Sequence, residues 1–196
     1  MSMKHRNSHF AVGYWSRLRR GRAVPDQADI DPKALKRVLP IVFLLDVRPD
    51  GRFVYRLAGT GICERYGTEL RGLNFLSQWD AESRSRLDIL LREALMQHMP
   101  LCLTSIGATQ DCRMVEIETV LMPITYGPGG ARHFLGIAQL LSDAGSLGGG
   151  IVSFERLVAS SIVREEDGLT GHNSPPEHAG NGRVAARAPH LKLVVS

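Results

Sequence analysis

The strongest constraint on the fold is a long amphipathic pattern near the middle of the chain. Between Asp80 and His98, apolar side chains recur at spacings of three and four residues, which is the period of one helix face. Asp80 stands in front of the pattern as an N-cap, so we predict a helix from Asp80 to His98. Its apolar side consists of Leu87, Leu90, Leu91, Ala94, Leu95 and His98. Such a helix must cover a second apolar layer.

The segments on either side of this helix predict that the second layer is a sheet. Five segments have strand length and strand composition: 41–47, 52–58, 101–106, 114–124 and 133–141. Turn sequences at Arg48–Gly51 and Tyr126–Gly130 join the first two and the last two as hairpins. We therefore predict an α+β fold with a five-stranded antiparallel sheet and helices on one face.

Shorter elements complete the predicted organisation. We expect an N-terminal helix over His9–Arg20, short helices over Asp31–Arg37 and Thr60–Tyr66, and a further helix over Ser153–Arg164. Residues 1–28 form an N-terminal helix and linker, residues 29–142 the main domain, and residues 143–196 a partly flexible C-terminal extension.

Composition restricts the class of protein. A length of 196 residues suits one core with extensions, and 43% hydrophobic residues are ordinary for a soluble domain. Apolar runs stay below the ~18 residues that a membrane span needs, and the N-terminus does not resemble a secretory signal, so we expect a cytoplasmic protein. The net charge of +4 is concentrated near Arg17–Arg22 without a nucleic-acid-binding motif, so we do not expect nucleic acid as a partner.

Several short motifs resemble one known family in combination. They are Tyr14–Arg22, Val24-Pro25, Asp29–Pro32, Leu39-Pro40, Leu45–Val47, Phe53–Thr60 and Gly67–Gly72. Together they resemble the PAS-domain family of type 5, which consists largely of alphaproteobacterial stand-alone proteins. The resemblance covers most of Tyr14 to Leu141 and implies a PAS fold, a role in signalling and no catalytic residues.

The predicted function follows from this resemblance. We expect a cytoplasmic, non-catalytic sensory module that binds a small ligand, a partner protein or both. The alternative is a ligand-free interaction or dimerisation scaffold, and a third hypothesis is a nucleotide-binding protein or small enzyme built on Gly59–Gly61. The expected partners are a second copy of the chain and two-component or cyclic-dinucleotide signalling proteins.

Two sets of residues are candidates for these roles. A ligand pocket between the sheet and the helices is predicted to be lined by Leu57, Ile62, Tyr66, Phe75, Trp79, Leu103, Leu121 and Ile137. The aromatic stripe of the N-terminal helix is predicted to contact a second copy or another partner through Phe10, Tyr14, Trp15 and Leu18. The competing interpretation is that this stripe covers the core of its own chain.

The same segments lack the residues that common PAS cofactors need. A flavin adduct needs a cysteine directly after Asn74, where this chain has Phe75, so we do not expect flavin. Haem needs an inward histidine, whereas His98 ends a helix and His133 begins a strand, so we do not expect haem either. The carboxylates of Glu116 and Glu118 share one strand face, which we predict to be solvated.

Overall fold

A computed structural model describes residues 3–127 and 131–164, and it contains one mixed α+β domain. Helix α1 (Arg6–Arg19) comes first, followed by strands β1 (Val42–Val47) and β2 (Phe53–Ala58) and helix α2 (Thr60–Tyr66). The long helix α3 (Ala81–Gln97) precedes the remaining strands. These are β3 (Leu101–Thr109), β4 (Met114–Thr125), β5 (Ala131–Leu140) and β6 (Val152–Ile162).

The long helix predicted from the sequence is confirmed. Asp80 caps α3 by accepting a hydrogen bond from the Ser83 amide at 2.8 Å, and His98 ends it with a φ of 55°. Leu87, Leu91 and Ala94 of α3 are fully buried. The short helix α2 is confirmed as well, and Gly67 ends it with a φ of 64°.

In the described part of the chain the sheet has six strands, so the five-stranded prediction is wrong. All pairings are antiparallel, in the order β2-β1-β5-β4-β3-β6. The sixth strand, β6, lies where we predicted a helix over Ser153–Arg164. Phe154, Leu157 and Val158 have helical spacing, but the pairing of β6 with β3 fixes this segment as a strand.

The predicted helix over Asp31–Arg37 is also wrong. This segment makes successive i→i+3 turns, such as Ala34 N to Asp31 O at 3.1 Å and Leu35 N to Pro32 O at 3.2 Å. The side chain of Asp31 does act as a cap, accepting from the Lys33 amide at 2.9 Å.

Apolar cores lie on both faces of the sheet. Helices α2 and α3 cover one face, which contains Phe43, Phe53, Leu103 and Leu121. Helix α1 covers the opposite face, on which Val120, Met122, Leu135 and Ile137 are buried. The prediction of helices on one face therefore holds for α2 and α3, while the N-terminal helix covers the other face.

Both outer edges of the sheet are covered by connecting segments. Beside β2, the Tyr55 amide donates to Leu73 O at 2.9 Å and the Gly72 amide donates to Tyr55 O at 2.8 Å. Beside β6, the Asp80 amide donates to Glu155 O at 2.9 Å. These contacts occupy backbone groups that an additional strand would otherwise use.

Candidate functional site

The predicted pocket residues separate into three groups. Ile62, Phe75, Trp79, Leu103 and Leu121 are buried together between the helices and the sheet, and Tyr66 is partly buried beside them. Leu57 is 48% exposed, so it does not face this interior. Ile137 is buried on the opposite face of the sheet, beneath α1. Leu57 and Ile137 were placed incorrectly because an apolar residue in a two-sided sheet has no sequence signal for which face it occupies.

Aromatic rings pack closely in this interior. Phe75 lies 5.7 Å from Trp79, 5.8 Å from Tyr55 and 6.0 Å from Phe43, measured between ring centroids. The ring of Phe43 lies directly over Gly136 of β5, where an added Cβ would approach its Cζ to 2.2 Å. Gly136 therefore allows the aromatic layer to contact the sheet backbone.

A polar cluster interrupts this apolar core next to α2. Glu155 of β6 is 2% exposed, and its carboxylate accepts a hydrogen bond from the Ser105 hydroxyl of β3 at 2.5 Å. The Tyr66 hydroxyl at the end of α2 donates to the other carboxylate oxygen. One carboxylate is thus bound by hydroxyl groups from two different elements.

Arg65 of α2 is the basic member of the cluster. It is 8% exposed, and its Nη2 donates to the carbonyl oxygen of Ala138 at 3.1 Å. Its Nη1 is buried and has no hydrogen-bond partner among the residues that the structure describes. Burying a guanidinium nitrogen without a partner is costly, so Nη1 of Arg65 is a position where a hydrogen-bond acceptor would stabilise the site.

The buried environment changes the protonation of these groups. Burial raises the pKa of Glu155 from 4.5 to about 7, although the positive charge of Arg65 opposes this shift. Burial also lowers the pKa of Arg65, and burial together with the charge of Glu155 raises the pKa of Tyr55 well above its ordinary value. Perturbed groups of this kind concentrate at functional sites.

Sequence reasoning named Tyr66 as a pocket residue but missed Arg65, Ser105 and Glu155. Arg65 follows Ile62 by three residues in α2, so both side chains lie on the same helix face, and this spacing could have placed Arg65 inward. Glu155 had no comparable signal, because its segment was assigned to a helix. We refer below to Arg65, Tyr66, Ser105 and Glu155 as the buried cluster.

The aromatic stripe of α1 packs on its own chain. Trp15 is 1% exposed and donates from its indole nitrogen to Pro123 O at 2.7 Å, and Tyr14 is 7% exposed. Phe10 and Leu18 are partly buried against the same core. The interpretation that this stripe covers the core therefore describes Tyr14 and Trp15.

The beginning of α1 is bound by a second buried carboxylate. Glu118 of β4 is fully buried and accepts hydrogen bonds from the backbone amides of Lys4 at 2.6 Å and His5 at 3.0 Å. The prediction that Glu116 and Glu118 form a solvated face is wrong for Glu118, because the residues before α1 cover it. Glu116 is partly exposed and pairs with the Lys4 side chain.

The remaining candidate residues have structural contacts. A Cβ added at Gly59 would lie 2.4 Å from the backbone oxygen of Leu39, so Gly59 allows the backbone to pack closely at the start of α2. His98 ends α3, and His133 pairs with Asp46 at 2.9 Å on the face that α1 covers in part. Phe75, at the position where a flavin adduct needs cysteine, belongs to the aromatic layer.

A surface depression lies away from this cluster. It has a volume of about 410 Å³ and lies at the turn between β1 and β2. Its lining consists of Arg48, Pro49, Asp50, Arg52, Val54 and Gly72. Arg52 is paired with Asp50 at 2.7 Å, and Arg48 adds a second positive charge to the lining.

Comparison with protein families gives a match over most of the chain. Residues 3–139 match the family model described as a PAS domain. The chain belongs to the PAS domain family. Membership indicates a sensory module, and the family is generally non-catalytic. No curated protein matches this PAS domain.

Solved structures with a similar fold include light-sensing and other PAS domains. The light-state LOV domain of the blue-light photoreceptor Aureochrome1 is 18% identical, with a TM-score of 0.43, over 58% of this chain and 91% of that one. The LOV protein of Rhodobacter sphaeroides is 18% identical, with a TM-score of 0.43, over 60% and 72%. A PAS domain from Colwellia psychrerythraea is 16% identical, with a TM-score of 0.44, over 56% of this chain and 92% of that one.

None of the helices in the described part of the chain is both long and apolar enough to cross a membrane.

Proposed function

We propose that this PAS domain is a non-catalytic signalling module and that a small polar ligand acts on it at the buried cluster. The single observation that carries this proposal is Nη1 of Arg65, which is buried and has no hydrogen-bond partner within residues 3–127 and 131–164. A ligand with a hydrogen-bond acceptor, such as a carboxylate or a carbonyl group, would form the missing hydrogen bond with Nη1.

We also propose that the protein is located in the cytoplasm.

The connections of the cluster suggest how occupancy would be transmitted. Strand β6 contacts the start of α3 at three points: the Asp80 amide binds Glu155 O at 2.9 Å, Arg156 pairs with Asp80 at 2.7 Å, and the Leu157 amide donates to Ser83 at 2.8 Å. A ligand beside Glu155 would therefore bias the packing of β6 against α3. Such a two-state contact is what a signalling domain requires.

The experiment is native mass spectrometry and an absorption spectrum of freshly purified protein. We expect the native mass to exceed the polypeptide mass, with the difference lost on denaturation. The Arg65→Met variant should lack the additional mass, whereas the control Arg86→Met, which changes an exposed arginine of α3, should retain it. A native wild-type mass equal to that of the polypeptide would contradict ligand binding.

A second candidate function is a ligand-free interaction scaffold, favoured by the close aromatic packing of the interior. Its contact surface would include exposed apolar side chains of β4 and β6, which we call the outer face. The exposed fraction is 68% for Met114, 45% for Phe154 and 56% for Val158. A homodimer through Phe10 and Leu18 of α1 stays a proposal. A partner can reach Tyr14 and Trp15 only after α1 leaves the sheet. Two-component and cyclic-dinucleotide signalling proteins are the proposed downstream partners.

Sedimentation or light scattering tests the scaffold. We expect Phe154→Ser to lower the association state if the outer face is used, and Phe10→Ser to lower it if α1 is used. A chain that stays monomeric at high concentration and captures no signalling protein would contradict this second function.

A further inference from the structure

We infer that Glu155 takes up and releases a proton near neutral pH, so that the state of the buried cluster is coupled to pH. This inference rests on the proposed function and concerns the regulation of the same site. It depends on the arrangement of groups around the carboxylate.

The neighbours of Glu155 can serve both protonation states. Ser105 and Tyr66 each place a hydroxyl group on the carboxylate, and a hydroxyl can donate or accept. With Glu155 ionised, both hydroxyls donate to it. With Glu155 protonated, one hydroxyl reverses its role and accepts from the carboxyl group. Both carboxyl oxygens therefore keep a hydrogen-bond partner in either protonation state, while the hydroxyl that reverses gives up the acceptor of its own hydrogen.

The charges around Glu155 come from few groups. Helix α2 contributes Arg65 and Tyr66, strand β3 contributes Ser105, and strand β2 contributes Tyr55, whose hydroxyl donates to Gln78 at 2.9 Å. At the start of α3, Asp80 offers its backbone amide to β6 and directs its carboxylate to Arg156. Arg65 is thus the one cation acting on Glu155 among these neighbours, and it hydrogen-bonds to Ala138 and not to Glu155.

Desolvation therefore has the largest effect on the pKa of Glu155. It raises the pKa of Glu155 to about 7, against the opposing charge of Arg65. The cluster is then neutral when Glu155 is ionised and carries one positive charge when it is protonated. An anionic ligand at Arg65 would favour the protonated state, so ligand binding and proton uptake would reinforce each other.

The test is a carbon-13 NMR titration of the Glu155 carboxyl carbon in the full chain, assigned by its absence from Glu155→Gln. We expect a midpoint at about 7. A midpoint below ~5, the range of an ordinary glutamate, would overturn the inference. Should Glu155→Gln fail to fold, the resonance displaced by Ser105→Ala provides the assignment.

Substitution of the residues around Glu155 should move its titration midpoint in a defined direction. Ser105→Ala and Tyr66→Phe each remove a donor that stabilises the ionised carboxylate, so each should move the midpoint upward. Arg65→Met removes the opposing charge and should move it upward as well. The control Glu118→Gln, which changes the buried carboxylate on the other face, should leave it unchanged. A downward movement with Ser105→Ala or Tyr66→Phe would contradict the inference.

The two proposals can fail separately. An acidic midpoint together with a retained small molecule would end the proton inference and leave the proposed function standing. A midpoint near 7 in a chain that retains no molecule would support the titration of Glu155 and end the proposed ligand.

Discussion

Arg65 and Glu155 are buried in the same core without forming an ion pair with each other. The guanidinium of Arg65 donates to Ala138 O at 3.1 Å, while the Glu155 carboxylate accepts from Ser105 at 2.5 Å and from Tyr66. Two charges removed from water and not directly paired reduce stability, and apolar residues of similar volume would pack as well. Their arrangement is therefore better explained by function than by folding.

The first prediction concerns pH. Because the pKa of Glu155 is raised from 4.5 to about 7 on folding, the folded chain binds this proton more tightly than the unfolded chain. The stabilising contribution of Glu155 to the free energy of unfolding is therefore fully present below pH 4.5. It is lost as pH rises to about 7, and the total loss is roughly 3 kcal/mol. Urea unfolding at pH 5 to 8 measures it.

The comparison with Glu155→Gln isolates this group. The pKa of His5 is lowered by burial, which opposes the trend on acidification, but His5 is present in both chains and cancels. We expect the stability of Glu155→Gln relative to the wild type to rise with pH and to level off above about 7. A relative stability independent of pH would show that Glu155 does not titrate in this range.

The second prediction is a double-mutant cycle. Arg65→Met or Glu155→Leu alone should reduce the free energy of unfolding at neutral pH by about 1–3 kcal/mol, since each leaves the other group buried without the nearby opposite charge. The double variant should lie within about 1 kcal/mol of the wild type or above it. Urea denaturation supplies the values, and additive losses would show that the two residues contribute independently.

The third prediction concerns the docking of α1. Glu118→Gln removes the carboxylate that binds the Lys4 and His5 amides, so we expect a loss of about 1–3 kcal/mol and faster hydrogen exchange in α1 than in β3. The matched control is Glu116→Gln, two residues away on the same strand face but partly exposed. It should cost less than about 1 kcal/mol. Equal effects of the two substitutions would contradict the anchoring role of Glu118.

The fourth prediction concerns the aromatic layer. Gly136→Ala places a methyl group 2.2 Å from Cζ of Phe43, so we expect a loss of about 1–3 kcal/mol from overpacking. Phe43→Leu in the same chain should recover part of it. The control Gly13→Ala in α1, whose new Cβ has its nearest neighbour at 3.6 Å, should be neutral or stabilising. No recovery by Phe43→Leu would show that the clash involves other atoms.

The sequence predicted the elements whose apolar pattern agreed with their final environment. Leu87, Leu91 and Ala94 have helical spacing and are buried on one face of α3, so α3 was predicted almost to the residue. Strand β6 was missed because an inward position is occupied by Glu155, while the apolar Phe154 and Val158 point outward. Local pattern and tertiary environment conflict in β6, and such conflicts are expected at functional sites.

The candidate site was less predictable than the fold. Five of the predicted pocket residues do share one buried interior, but Arg65 and Glu155 are charged, and a charged residue is usually solvated. Their burial is produced by contacts between α2, β3 and β6, which are distant in sequence. In the sequence, only the three-residue spacing between Ile62 and Arg65 in α2 indicated that Arg65 lies on the buried face of the helix.

The most direct test of the central claim is a crystal structure of the freshly purified protein. We predict density for a group larger than one water molecule within hydrogen-bond distance of Nη1 of Arg65. A direct ion pair between Arg65 and Glu155, with no additional density beside them, would contradict it.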